Sequence, residues 1–238
     1  MKQALRSLYR ALPRPPSTNY LFHVPPNPYS FLQAGATIFD IGSKDARGSY
    51  SFGTPPSNSR VVCVDIEPGE GVDLVADAHD MHMVPSDSID CVITVSTLEH
   101  VRYPQKVMTE IFRILKPGGV LYVSVPFVFP FHSDPHDNYR FSADGVKILC
   151  ERFECVESGF NRGPASTMCH LMVHFCAMLF SMNNRTLYGI NVDLFTWLLF
   201  WTKYLDVFLG KYQMAKVIHA GAYFLGRKPV LSSLGGSQ

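Results

Sequence analysis

A chain of 238 residues has room for one α/β domain with a substantial core, and a second full domain would be cramped. Apolar residues make up 47% and charged residues 17%, on the apolar side of ordinary soluble usage, so some apolar surface is available for a partner or a membrane. A net charge of +1 supplies no broad field for capturing nucleic acid, and no aromatic RNA-binding signature is present.

From the start of the chain, Lys2, Arg6, Arg10 and Arg14 interrupt any continuous apolar core of a secretory signal. They alternate with Leu5, Leu8, Tyr9 and Leu12 like one face of a short basic helix, which suits a docking helix or a membrane-surface or targeting segment. Residues 13–28 are too rich in proline for a long helix, so 1–35 reads as an extended, basic lead-in. Cys63, Cys91, Cys150, Cys155, Cys169 and Cys176 include none of the close pairs of zinc ribbons or redox motifs. Several lie in apolar runs, as buried thiols do, which indicates a reducing compartment such as the cytoplasm.

The first strand is expected at 36–42, ATIFDIG, ended by a glycine turn; the next at 61–65, VVCVD; a short third at 72–75; and a fourth at 89–95, IDCVITV. Pro104 opens a helix with Val107, Met108, Ile111, Phe112 and Leu115 at helical spacing, which Lys116-Pro117-Gly118-Gly119 stops. A strand at 120–127 follows, and this strand, helix, strand tempo indicates a parallel crossover. Ser142 caps a further helix with Val146, Leu149 and Phe153 inward, and a strand near 153–156 comes next. Two apolar helices, 165–181 and 191–210, form an insertion at 164–216 before a last strand at 220–225, and 231–238 is a flexible tail.

In an open parallel sheet, ligands bind beyond the carboxyl ends of the strands, near the point where strand order reverses. Asp40 and Gly42 end the first strand, Asp65 the second; Asp77 follows the third, and Ser96 to His100 follow the fourth. Glycine at the first turn lets backbone approach a ligand, and a carboxylate after the second strand can accept both hydroxyls of a ribose. Asp77 can take an exocyclic amine by the same acceptor logic. Each aspartate alone more often caps its own turn; their joint position after successive strands favours a ligand site.

The runs FDIGS, VDIEPGEGVDLVADAHDM, STLEHV and RILKPGGVLYVSVPF, over residues 39–127, resemble class I S-adenosyl-L-methionine-dependent methyltransferases, in the group of ubiquinone- and menaquinone-biosynthesis methyltransferases. The likeness extends into HSDPHDNYRFSADG and weakly to AGAYFLGRKP. It implies a Rossmann-like seven-stranded sheet with helices on both faces, the last strand antiparallel and a helical insertion before it. It also implies that Asp40 and Gly42 lie at the methionine end of the cofactor, Asp65 at its ribose, and Asp77 and Ala78 at adenine, with Ser43 and Ile66 also among the cofactor-binding residues, and that Ser96 with Leu98, Glu99 and His100 lies beside the methyl-transfer cleft. One departure stands out: Gly42 is followed by Ser43, Lys44, Asp45, Ala46 and Arg47 before Gly48, where the family has two or three glycines.

His132, Asp134 and His136 have the spacing of metal ligands on an extended segment. The resemblance instead makes this a loop after strand five that lines the acceptor cleft, with Tyr139-Arg140-Phe141 as anchors and Arg140 pairing a buried carboxylate; no metal is assigned. For a hydroxyl acceptor, His132, His136 and His100, in that order, are candidates to take the proton. The expected activity is methyl transfer to a small-molecule or lipid- or glycan-linked acceptor. A catalytically degenerate scaffold is one alternative. A nicotinamide-dependent oxidoreductase is another, against which no G-x-G-x-x-G follows the first strand. Leu194, Trp197, Leu198, Trp201, Leu205 and Phe208 make an apolar stripe that, with Lys203, Lys211 and Lys216, suits a membrane surface; packing on the sheet is the alternative.

Overall fold

The computed structural model describes residues 13–18, 26–43, 52–132 and 136–230. The basic segment before residue 13, the glycine-poor loop after Ser43, Asp134 and the tail lie outside them. The chain divides into two compact units, one built on Pro25–Phe127, Phe131–Phe160 and the segment from Gly221, the other on Asn161–Ala220 with Val128–Pro130.

In the first unit, strands β1 (Thr37–Ile41), β2 (Arg60–Asp65) and β4 (Ile89–Val95) are short apolar runs, buried along most of their length as interior parallel strands are. Strand β3 is only Leu74–Val75. Helix α1 (Pro104–Ile114) starts on a proline whose missing donor costs nothing there, and buries Val107, Met108, Ile111 and Ile114 on one stripe. Strand β5 covers Leu115–Pro126, so Lys116 to Gly119 stop the helix but already belong to the strand, which begins five residues earlier than the expected 120. Helix α2 (Ala143–Leu149) is capped by Ser142, whose Oγ accepts the Gly145 N–H at 3.1 Å. Strands β6 (Glu154–Phe160) and β7 (Gly221–Arg227) complete the sheet.

The seven strands take the order β3-β2-β1-β4-β5-β7-β6. Strands β1 to β5 are parallel, and β7 is antiparallel to both β5 and β6. The chain steps outward from β1 to β3 and then crosses to β4 on the other side of β1, so the order reverses between β1 and β4. On one face, Phe39, Ile41, Val62 and Val92 pack with Val107 and Ile111 of α1. On the other, Ile38, Ile93, Tyr122 and Tyr223 meet Tyr29 and Phe31 of a 3-10 turn, Pro28–Phe31, and Phe52. Asn27 ties this cover together, its Oδ1 accepting the Tyr29 N–H at 2.9 Å and its Nδ2 donating to the Phe52 carbonyl at 2.7 Å.

The second unit is helical. Helix α3 (Pro164–Phe180) packs with α4 (Arg185–Leu199), whose cap Asn184 accepts the Thr186 and Leu187 N–H groups at 2.9 and 3.1 Å. The expected single helix at 191–210 is divided: α4 begins before it, then come a 3-10 turn (Phe200–Leu205) and the short α5 (Asp206–Leu209). Asp206, the first residue of α5, is buried and turns its carboxylate onto the start of α3, accepting the Ala165 and Ser166 N–H groups at 2.8 and 2.9 Å. Lys203, expected at a head-group surface, is instead buried, with Nζ donating to the Ser17 carbonyl at 2.6 Å. All six residues of the apolar stripe are exposed, from Trp197 at 44% to Phe208 at 66%. No helix among the described residues is long and apolar enough to cross a membrane. All six cysteines are free thiols.

Candidate functional site

Parallel pairing brings the carboxyl ends of β1, β2 and β4 to one edge: Ile41 stands beside Val64 on one side and Thr94 on the other. Asp40 and Ser43 are buried, and the Ser43 Oγ donates to the Asp40 carbonyl at 3.1 Å. Gly42 sits between them at φ +78°, a left-handed conformation that suits glycine. A Cβ there would overlap Thr97 Oγ1 and Cγ2 and stand 2.9 Å from Thr97 Cβ. Thr97 is held in that place by its hydroxyl, 3.0 Å from the Ile41 carbonyl and 3.2 Å from that of Val95. Glycine is therefore required where β1 and β4 meet, at the reversal of strand order. Thr97 was not singled out from the sequence, because nothing local marks a threonine whose partner lies 56 residues away.

Around this point lie the other residues expected to hold a cofactor. Asp65, half-buried at the end of β2, accepts the Glu67 N–H at 3.0 Å on Oδ1, and Ile66 beside it is 64% exposed, an apolar side chain turned to solvent. Asp77 is exposed and accepts both the backbone N–H and the ring Nδ1 of His79, at 2.9 and 2.6 Å; Ala78 is half-buried. Burial works to raise the Asp77 carboxyl, but these His79 contacts outweigh it and hold it below its ordinary value. Ser96 is exposed and has φ +53°, a conformation that non-glycine residues adopt rarely and that clusters at functional sites.

Beyond Ser96 the chain forms a second, acidic and histidine-rich cluster. Glu99 is 0% exposed, and among the described residues neither carboxylate oxygen has a hydrogen-bond donor. The His100 ring lies beside it, with Nε2 3.8 Å from Glu99 Oε1. Burial pushes the Glu99 carboxyl up to about 7, opposed by its own backbone amide and then by His100 and Arg140, and assisted by Asp137. The loop after β5 closes over it: Asn138 and Tyr139 donate their N–H groups to the Glu99 carbonyl at 2.8 and 3.2 Å, and the Tyr139 hydroxyl donates to the Arg102 carbonyl at 2.9 Å.

Arg140 does pair a buried carboxylate, that of Asp137, through both of its terminal nitrogens, Nη2 to Oδ2 at 2.6 Å. These bonds hold Asp137 well below the usual carboxylate range. Asp137 in turn accepts the His132 N–H at 2.9 Å and lies 3.5 Å from His132 Nδ1. The rings of His132 and His100 meet edge to face with centroids 5.2 Å apart. Of the histidines expected to take a proton, His100 and His132 are thus brought together; His136 is not, its ring being exposed and only its carbonyl meeting His100 Nδ1.

A model of a methyltransferase domain matches residues 39–123. The chain is 31% identical over 134 residues to the ubiquinone/menaquinone biosynthesis C-methyltransferase UbiE of Hahella chejuensis (strain KCTC 2396), covering 48% of this chain and 53% of that protein. It is 34% identical over 68 residues to the thiol S-methyltransferase TMT1B of Homo sapiens, covering 29% of this chain and 26% of that one. The alignments thus span about half and a quarter of these relatives' lengths. Among solved structures, the putative methyltransferase bound to the Haloferax volcanii Trm112 activator superposes with a TM-score of 0.52 at 18% identity, covering 84% of each chain. The [4+2]-cyclase SpnF gives 0.51 at 18% identity over 84% of this chain and 76% of that one, so the fold by itself does not name a reaction. The sheet order and the match over the strand ends agree: over residues 39–123 the chain is similar to methyltransferase domains, and over 134 residues to a ubiquinone/menaquinone C-methyltransferase.

Proposed function

We propose that the protein transfers the methyl group of S-adenosyl-L-methionine to a small-molecule acceptor, lipid-linked or glycan-linked ones included. The observation that carries this reading is the Gly42–Thr97 contact at the reversal of strand order, with Asp40, Ser43, Asp65, Ile66, Asp77, Ala78 and Ser96 on the surrounding strand ends. The residues fit the cofactor. Gly42 lets the ends of β1 and β4 pack against Thr97 at the strand-order reversal, Asp65 offers a carboxylate to ribose hydroxyls, and exposed Ile66 offers apolar surface to the cofactor. The cofactor supplies an activated methyl on a sulfonium; the chain's part is to hold the acceptor's nucleophile in line and exclude water. The cluster of Glu99, His100 and His132 supports an acceptor side, since it lies on the loops after β4 and β5, separate from Asp65 and Asp77.

Calorimetric titration with S-adenosyl-L-methionine and, separately, NAD tests the reading. Asp65→Ala is expected to weaken S-adenosyl-L-methionine by roughly 1.5–3 kcal/mol for each charged hydrogen bond lost. Unchanged affinity removes Asp65 from the site; binding of NAD instead supports an oxidoreductase, and binding of neither a scaffold.

The six exposed side chains of the helical unit favour a second feature, contact with a lipid surface that presents the acceptor. Lys211 and Lys216 are exposed near the stripe and suit anionic head groups, whereas Lys203 is occupied. Flotation with anionic vesicles should carry the protein upward, and Trp197→Ser with Phe208→Ser should abolish that. A protein that stays wholly in the soluble fraction refutes it.

A further inference from the structure

We infer that Glu99, His100 and His132 form a binding site for a divalent transition metal of the zinc class. One ligand atom from each of the three lies within 4.8 Å of the others, and three protein donors, two imidazoles and one carboxylate, are the set that leaves a coordination position open to a substrate. The wanted cation is signalled independently by Glu99: a fully buried carboxylate whose two oxygens lack a hydrogen-bond donor among the described residues is costly, and a bound cation removes that cost.

The outer contacts of the two histidines point the same way. His100 Nδ1 meets the His136 carbonyl, which only accepts, so Nδ1 carries the proton and Nε2 presents a lone pair toward Glu99. A cation between them would satisfy both the lone pair and the carboxylate, 3.8 Å apart. His132 Nδ1 faces Asp137, which Arg140 holds in turn, giving the carboxylate–histidine arrangement that orients metal-ligating imidazoles. The three donor atoms, within 4.8 Å of one another, surround a point at which a zinc ion with ~2.0–2.2 Å metal–ligand distances would sit after the donors draw in. The ligand set differs from the His132, Asp134, His136 spacing of the sequence: His136 contributes its carbonyl alone, and Asp134 lies outside the described residues.

The role of the metal rests on the methyl-transfer reading: at the acceptor side it would favour acceptors that ligate through a hydroxyl or thiol, by lowering the pKa of the ligating group. The binding itself does not rest on that reading. The test is calorimetric titration of chelator-stripped full-length protein with zinc chloride, repeated with cobalt chloride read by visible absorption. Wild type should bind one zinc, with tetrahedral-type cobalt spectra. Glu99→Gln and His132→Ala should each weaken binding more than about 100-fold, and Asp137→Asn by about 10–100-fold. His82→Ala and Cys155→Ser, which alter exposed zinc-capable groups elsewhere, should leave it unchanged. His132 is the partly exposed member, so its variant remains informative if Glu99→Gln fails to fold. No zinc binding by wild type, or binding retained in both Glu99→Gln and His132→Ala, overturns the inference; loss in the Cys155 or His82 control assigns the ion to the surface and overturns it too. Titration of the same samples with S-adenosyl-L-methionine separates the two readings: zinc without cofactor sinks methyl transfer alone, cofactor without zinc sinks the metal alone.

Discussion

Replacing Asp206 by alanine should loosen the helical unit far more than an ordinary cap deletion. The carboxylate is 1% exposed and receives two backbone N–H groups from the first turn of α3, at 2.8 and 2.9 Å. Alanine would leave both donors buried and unpaired, and would remove a negative charge from the positive end of the helix. Bonds to a charged group contribute roughly 1.5–3 kcal/mol each and a typical cap about 1 kcal/mol, so a loss of about 3 kcal/mol is expected. Asn184→Ala removes the same number of N–H acceptor contacts from α4, but at an exposed, neutral cap, and should cost only about 1 kcal/mol. Both tryptophans, Trp197 and Trp201, lie in this unit, so their fluorescence reports its unfolding selectively. With a urea slope of about 2 kcal/mol/M, the midpoint should fall by about 1.5 M for Asp206→Ala and about 0.5 M for Asn184→Ala. Equal shifts for the two variants, or no shift for Asp206→Ala, would refute the account of a buried charged cap.

Gly42→Ala should destabilise the sheet unit by about 2–4 kcal/mol, adding the left-handed cost to overlap with Thr97. In a double-mutant cycle with Thr97→Ala, urea midpoints should show that the second change recovers part of the loss; strict additivity would mean the two do not touch. Glu110 is held below its ordinary value, first by hydrogen bonds from Arg113 at 3.0 and 2.8 Å and further by the Met81 N–H at 3.0 Å. A lowered folded value means stability present above the unfolded carboxyl value near pH 4.3 and lost as pH falls through the folded one. Glu110→Gln should therefore cost about 1–2 kcal/mol at pH 7 and flatten the acid limb of a pH-resolved urea series, and an unchanged acid limb would disprove the linkage.

The interior strands were readable because buried parallel strands are nearly continuous apolar runs, and β4 was found at Ile89–Val95 as expected. Strand β5 was read short at its start because its first residues pair with a segment more than a hundred positions away: Gly118 donates to the Lys228 carbonyl at 2.8 Å, and Lys228 returns the bond to Gly119 at 2.9 Å. Two of the three charges in the last apolar run misled for a related reason. Lys203 and Asp206 look like solvent-facing interruptions, yet both are buried on partners supplied by distant sequence, and Asp206, at the start of one short helix, caps the start of another. The acids and glycine at successive strand ends were legible, since each local turn carries its own signature. In the loop after β5, Arg140 was legible as the partner of a buried carboxylate, but Glu99 was read only as a neighbour of the expected cleft. Its isolation depends on the Asn138–Tyr139 backbone closing over it, and that docking brings a loop almost forty residues later onto the end of β4. Where the chemistry comes from one turn the residues announce it; where it comes from two loops meeting, the carboxylate left without a donor is the signal, and it exists only in the folded chain.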